Sequence, residues 1–190
     1  GHVGSSLVKK ISPLLEKIYL HDPYLEQFAL GQKSNADIIF IAVGTPSRPG
    51  DGHADLRYVH QVSREISKNI TKYILIVNKS TAPVGTVKQI SRIIKENNRE
   101  ANFDVASNPE FLREGSAIDD FMNPDRIIIG VESKRAKKLL DKLYKPMVNK
   151  NVPLIHTNHE SAEIIKYASN AFLATKISFI NEISNLCEKV

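Results

Sequence analysis

Residues 38–43 read IIFIAV, and residues 44–56 that follow read GTPSRPGDGHADL. A sheet with one face in water asks for alternating apolar and polar residues. Six apolar residues in unbroken succession instead suit a strand covered on both faces, the usual condition of a parallel sheet. The glycine- and proline-rich tail then ends the strand abruptly.

Working outward, similar short β-branched runs occur at Ile18 to Leu20, Tyr73 to Val77, Phe103 to Ala106 and Arg126 to Val131, with a weaker one at Leu154 to His156. Segments of helical period lie between most of them. One carries Leu56, Val59, Val62, Ile66 and Ile70, another Val87, Ile90, Ile93 and Ile94. Strand and helix alternate, which predicts an α/β fold, a doubly wound parallel sheet with helices on both faces. From Ser161 to Val190 the chain is helix-like without a break, about 45 Å at ~1.5 Å per residue. That exceeds what covers one sheet, so it reads as the opening of a second, helical element. Pro23 to Asn35 reads as a loop.

The chain has 190 residues, enough for one full domain and part of another. Its 42% hydrophobic and 25% charged residues exclude collagen-like and broadly disordered classes. A single cysteine, Cys187, excludes an intrachain disulfide framework and a cysteine-built zinc site, and suits a reducing compartment, the cytoplasm by default. A net charge of +5 spread along the chain points to no nucleic acid and no membrane partner. No apolar run approaches the roughly 20 residues of a membrane span, and the start lacks the hydrophobic middle of a signal peptide. The first residue is Gly1 rather than Met, so the N-terminus reads as incomplete.

Five stretches carry chemistry. The opening GHVG, with Asp22 beyond the first predicted strand, fits the end of a dinucleotide-binding turn. Gly1 and Gly4 would let the backbone approach a pyrophosphate, and Asp22 would accept the ribose hydroxyls. A terminal scar before an amphipathic helix, which Pro13 interrupts, is the alternative. In the second stretch, Gly44 and Thr45 at the carboxyl end of IIFIAV would face a cofactor, or the loop is merely turn-rich with Asp55 capping the next helix. Third, Ser80 and Thr81 end the strand at Tyr73 to Val77, and Pro83 to Thr86 start a helix. Their hydroxyls would hold a water or substrate group, or act only as caps.

The fourth stretch, ASNPEFLREGSA, is the most informative. Asn108 as N-cap and Pro109 at the first helical position predict a helix start, which places Glu110 and Glu114 one turn apart on one face. Acids in a first turn also serve the helix dipole. Phe111 and Leu112 between them set the carboxylates against apolar groups, a surrounding suited to proton exchange. In the fifth, AEIIKYASNAF, Lys166 and Asn170 lie four apart on the long helix. They would stabilise a developing oxyanion, or form a solvated face. His156 and His159 fall on a predicted loop and build no ligand set, so no metal is expected. Cys187 reads as a core or interface cysteine rather than a nucleophile.

The order of these strings is more specific than any one of them. FIAVGTP, DGHADLRYV, KSTAPVGT, SNPEFLREGSA, NPDRIIIG and SAEIIKYASNAFLATKISFINEISNLCE together resemble the UDP-glucose/GDP-mannose dehydrogenase family, from about Ala36 to the last residue. NPEFLREG, NPDR and KYASNAFLATKISFINE are more similar to the UDP-glucose branch than to the GDP-mannose or UDP-N-acetylmannosamine branches. The resemblance implies a Rossmann-like NAD-binding domain over residues 1–158, N-terminally incomplete, and the start of a central helical dimerisation domain over 159–190. It implies oxidation of UDP-glucose to UDP-glucuronate in two NAD-dependent steps, through a thiohemiacetal on a cysteine, by a homodimer joined through the central helix.

On the same resemblance Glu110 is the proton-transferring and hydrolytic carboxylate, Thr81 positions water, Lys166 stabilises negative charge and Asn170 orients the reacting centre. Phe111 and Leu112, with Glu110, Lys166 and Asn170, would line the nucleotide-sugar site. Gly1, Gly4, Asp22, Gly44, Thr45, Thr81 and Glu114 would lie along the NAD. Departures from the family pattern are the missing first strand and first glycine, His2 in place of Tyr, and a short segment between Asp22 and Ala36. The chain also stops at Val190, before a GGSCFPKD-like motif that holds the family's cysteine, so it is expected to be inactive alone. A non-catalytic module that binds NAD or pairs through the long helix is the rival reading, and a GDP-mannose enzyme the rival substrate.

Overall fold

The computed structural model describes residues 36–113, 115–116, 119–120 and 123–190. Five strands and four helices are found among the named elements of these residues: β1 (Ile38–Ile41), α1 (Arg57–Ser67), β2 (Ile74–Asn78), α2 (Thr86–Asn97), β3 (Phe103–Ser107), β4 (Ile127–Gly130), α3 (Lys134–Val148), β5 (Leu154–Thr157) and α4 (His159–Cys187). The strands form one sheet in the order β1-β2-β3-β4-β5. The strand expected at Ile18 to Leu20, the loop at Pro23 to Asn35 and the helix carrying Pro13 lie outside the described residues.

The unbroken apolar strands are explained by what covers them. On one face Leu75 and Val77 pack with Ile127, Ile129 and the inner side of α3, including Ala136, Leu140 and Tyr144. On the other, Ile74, Ile76 and Ile41 pack with Val59 and Ile66 of α1 and Val87, Ile90 and Ile94 of α2. Every residue of β2 is therefore buried. Burying one aliphatic side chain stabilises by roughly 1.5–3 kcal/mol, against about 1 kcal/mol for the whole range of strand propensity, so burial on both faces dictates this sequence.

The sheet departs from the all-parallel expectation at one place. β1, β2 and β3 run parallel and β4 and β5 run parallel, but β3 meets β4 antiparallel through the single pair Ser107 and Gly130. A parallel neighbour requires a crossover, usually helical. Between these strands residues 108–113 are irregular and, of the described residues, 119 and 120 are helical.

α4 begins at His159, two residues earlier than the periodicity indicates, behind the N-cap Asn158, whose side-chain oxygen accepts the Ser161 backbone N–H at 2.7 Å. It runs 29 residues, but only His159, Ala162, Glu163 and Lys166 are buried, and every residue from Asn170 onward is exposed. Cys187 is therefore exposed rather than in the core, because its stretch of helix extends past the sheet. His156 lies in β5 and His159 opens α4, so neither sits on a loop. Among the described residues no group of three or more His, Cys, Asp and Glu is placed to hold a metal, and no helix is long and apolar enough to cross a membrane.

Gly130 sets how closely α4 approaches β4. A Cβ there would stand 2.7 Å from the Ala162 Cβ, 2.7 Å from the Asn158 carbonyl oxygen and 2.9 Å from the His159 Cα. Two of these three atoms are backbone, so the helix itself would have to retreat. Gly130→Ala is expected to destabilise the full chain by about 1–3 kcal/mol, read from the urea midpoint at unchanged slope.

Candidate active site

Loops leave the carboxyl ends of β1, β2 and β3; those after β2 and β3 meet the first turns of α4, and the one after β1 is bonded to the β2 loop. At the end of β1, Gly44 is exposed, and a side chain at its Cα would meet no atom within 4 Å. The next residue, Thr45, donates its hydroxyl to the Thr81 carbonyl at 2.5 Å. The loop beyond is rich in turns, but Asp55 does not occupy the cap of α1: the N-cap is Leu56, without a side-chain cap, and Asp55 one residue earlier accepts the Arg57 backbone N–H at 3.0 Å while pairing with its guanidinium. That guanidinium and the backbone N–H hold the Asp55 carboxyl well below the usual range, at about 2.

At the end of β2, Ser80 donates to the Val43 carbonyl at 2.7 Å and so ties two loops together. Thr81 points onward, and its hydroxyl donates to Glu110 Oε1 at 3.0 Å. Gly85 supplies the positive φ, 93°, at which α2 begins.

At the end of β3 the expected helix start is absent. Residues 108–113 are irregular, and Asn108 is no cap. Its side chain is 1% exposed and fully engaged: Nδ2 donates to the Ile128 carbonyl at 2.8 Å, and Oδ1 accepts from the Tyr144 hydroxyl at 2.5 Å and from the Lys79 amine at 3.2 Å. The Lys79 amine also donates to the Asn108 carbonyl at 3.0 Å. An asparagine bound to three separate elements cannot also serve the N–H groups of a following turn, and the chain stays extended. Burial pushes the Tyr144 hydroxyl well above its ordinary range, so it stays a neutral donor.

α4 completes the cluster. Lys166, 6% exposed, places its amine 3.9 Å from Glu110 Oε1 and 5.4 Å from the centre of the Phe111 ring. It is no solvated face. Burial lowers the proton affinity of this amine, and the Glu110 carboxylate opposes that in part. Glu110 Oε2 is buried and, among the described residues, has no hydrogen-bond partner. Asn170 stands exposed one turn beyond Lys166. The Phe111 ring also carries the Arg126 guanidinium at 4.6 Å, and Leu112 packs partly against the core on the α3 side.

Thr81, Glu110, Phe111 and Lys166, which lie on three different segments, are thus brought together, with Thr45 bonded to the backbone of Thr81. Gly1, Gly4, Asp22 and Glu114 lie outside the described residues. Lys79, Tyr144, Arg126 and Glu163 were not singled out from the sequence. Lys79 and Arg126 carried a weak signal, as cations abutting buried apolar runs, whereas Tyr144 and Glu163 looked like ordinary helix residues. Chemically the cluster offers a carboxylate with one open oxygen, a hydroxyl orienting the other, and an amine of reduced proton affinity.

Two family models match the chain. Residues 24–148 match the NAD binding domain of the UDP-glucose/GDP-mannose dehydrogenase family, and residues 160–190 match that family's central domain. A UDP-glucose 6-dehydrogenase of Rhizobium meliloti is 55% identical over 157 residues, 82% of this chain and 36% of its own length. The structure of a UDP-glucose dehydrogenase from the archaeon Pyrobaculum islandicum superposes with a TM-score of 0.74 at 47% identity, covering 79% of this chain and 35% of that one. A GDP-mannose dehydrogenase from Pseudomonas aeruginosa superposes with a TM-score of 0.73 at 36% identity, covering 78% and 35%. The chain spans about a third of the length of each of these relatives. By the match of residues 24–148 and the identities above, the chain belongs to the UDP-glucose/GDP-mannose dehydrogenase family and carries its Rossmann-like NAD binding domain.

Proposed function

We propose that the full-length protein oxidises the C6 alcohol of UDP-glucose to the carboxylate of UDP-glucuronate in two successive NAD-dependent steps, with residues 1–158 as the cofactor domain and 159–190 as the start of the central helical domain. The observation that carries the reading is the meeting of Thr81, Glu110 and Lys166 at the carboxyl ends of the strands, where ligands bind in wound α/β sheets. UDP-glucose is favoured over GDP-mannose by the higher identities to the UDP-glucose enzymes.

The residues present fit NAD. Gly44 leaves the backbone open at the end of β1, Thr45 and Thr81 place hydroxyls beside it, and Glu110 Oε2 is a buried acceptor awaiting a partner. Bound NAD supplies the hydride acceptor. Glu110 Oε2 takes the proton from the sugar hydroxyl and, in the second half of the reaction, from the attacking water. The Thr81 hydroxyl holds the other oxygen of that carboxylate and so aims it. Lys166, as the ammonium, stabilises negative charge developing on oxygen, and burial strengthens that effect. Asn170, reaching from one turn further, orients the sugar, with Phe111 and Leu112 along the nucleotide-sugar site.

A second reading, assembly, rests on α4. Phe172, Leu173, Ile177, Phe179, Ile180 and Leu186 are all more than half exposed. We propose a homodimer through this helix, compatible with catalysis. The exposed free thiol Cys187 suits the reducing cytoplasm as the compartment. Purified full-length protein is expected to form NADH with UDP-glucose and little with GDP-mannose. Turnover with GDP-mannose alone overturns the substrate, and NAD binding by calorimetry without any turnover leaves the binding module.

A further inference from the structure

We propose that Glu163 is a positioning residue of this site. Its carboxylate docks the first turns of α4 onto the segment that follows Thr81, and thereby sets the separation of Lys166 from Glu110. The inference rests on the reaction proposed above but uses a residue that reading does not employ.

A helix N-terminus leaves N–H groups without intrahelical partners, and α2 has no side-chain cap of its own at Gly85. The missing acceptors come from another helix. Glu163 Oε2 accepts the Gly85 N–H at 2.7 Å and Oε1 accepts the Val87 N–H at 2.9 Å, across 78 and 76 residues of sequence. One oxygen on each of two N–H groups fixes the plane of the carboxylate as well as its distance. Glu163 is 3% exposed, so water does not replace either bond.

The geometry joins the two halves of the site. Thr81 lies four residues before Gly85, and Lys166 three residues, just under one turn, after Glu163. The other anchors of α4 act elsewhere. Ala162 lies against Gly130 of β4, and His159 Nε2 bonds the Val105 carbonyl of β3 at 3.0 Å. Lys88 with Glu160 also joins α2 to α4, but that ion pair is largely solvent-accessible and screened. Burial raises the proton affinity of Glu163, and the two N–H groups oppose this by favouring the ionised acceptor.

The test uses the full-length enzyme with Glu163→Gln, which keeps shape but turns one acceptor into a donor facing an N–H. Turnover is expected to fall about ten-fold or more with the NAD dissociation constant within about two-fold, the pattern of a lost transition-state alignment. Acetylation of the Lys166 amine by acetic anhydride, followed by mass spectrometry, is expected to speed up several-fold as the amine leaves Glu110. Ser133→Ala serves as the control. It removes the side-chain cap of α3, and is expected to lower thermal stability without changing turnover or Lys166 acetylation.

Unchanged turnover and acetylation in folded Glu163→Gln overturn the proposal, as does an equal loss of turnover in Ser133→Ala. If Glu163→Gln does not fold, Glu163→Asp, which keeps the charge but shortens the reach, is read the same way. Failure of that variant to fold as well assigns Glu163 a structural role only and overturns the inference. A wild-type enzyme inert toward UDP-glucose removes the proposed reaction, while Lys166 acetylation still decides the role of Glu163.

Discussion

Glu110→Gln in the full-length enzyme is expected to lower turnover by ~10²-fold or more while leaving NAD affinity nearly unchanged. Glutamine keeps the volume and can still accept from the Thr81 hydroxyl, which now donates to Oε1 at 3.0 Å. What it loses is the basic oxygen, the buried Oε2 that no group among the described residues engages. The change therefore removes proton transfer and little else. Steady-state rates with UDP-glucose, set beside calorimetric NAD binding, check it, and a variant as fast as wild type removes Glu110 from the mechanism.

Lys166→Met is expected to cost about 10²–10³-fold in turnover, the magnitude seen when one donor to a developing oxyanion is deleted. Methionine retains the length and the contact with Phe111 but not the charge. The same residue sets a pH dependence whose sign follows from its surroundings. Burial lowers the Lys166 pKa below the ordinary lysine range, and the ammonium is the form that stabilises negative charge. Turnover is thus expected to decline on the alkaline side at a lower pH than an ordinary lysine would give. Glu110 is the one influence that raises this pKa, so Glu110→Gln is expected to move the alkaline limb of the residual activity lower still.

For stability the sign is opposite. Between the lowered value and the ordinary lysine pKa the unfolded chain binds more protons than the folded one, so this group adds stability as pH rises through that window. A pH–rate profile with no alkaline limb earlier than an ordinary lysine, or one unmoved by Glu110→Gln, argues against the assignment.

Much of the frame was readable locally. IIFIAV announced a strand covered on both faces, and β1 packs toward α1 and α2 on one side and the α3 cluster on the other, though only Ile41 of the strand is fully buried and the rest is half-buried. The unbroken periodicity beyond Ser161 announced a helix longer than its seat, and α4 is buried only near its start. The placing of the candidate residues was readable too, since Thr81 and Glu110 lie in the loops just beyond β2 and β3 and Lys166 occupies an early turn of that helix.

Local reading failed at Asn108. Asn followed by Pro is a sound helix-start signal, yet the asparagine is claimed by Lys79, Ile128 and Tyr144, 20 to 36 residues away. No window of neighbouring residues contains those partners. The antiparallel contact of β3 with β4 and the burial of Glu163 escaped for the same reason. A glutamate on a helix reads as solvated until two N–H groups from a distant segment arrive to satisfy it.

Chain order and side-chain chemistry by themselves determined where β1 to β5, α1, α2 and α4 lie and which groups are available, because helix and strand periods and turn preferences act over a few residues. Only the tertiary structure decided that Glu110 and Lys166 stand 3.9 Å apart, that one oxygen of Glu110 remains open, and that Asn108 holds loops together instead of starting a helix. Those outcomes depend on burial and on hydrogen bonds between segments dozens of residues apart, and such interactions exist only once the sheet has brought the segments together.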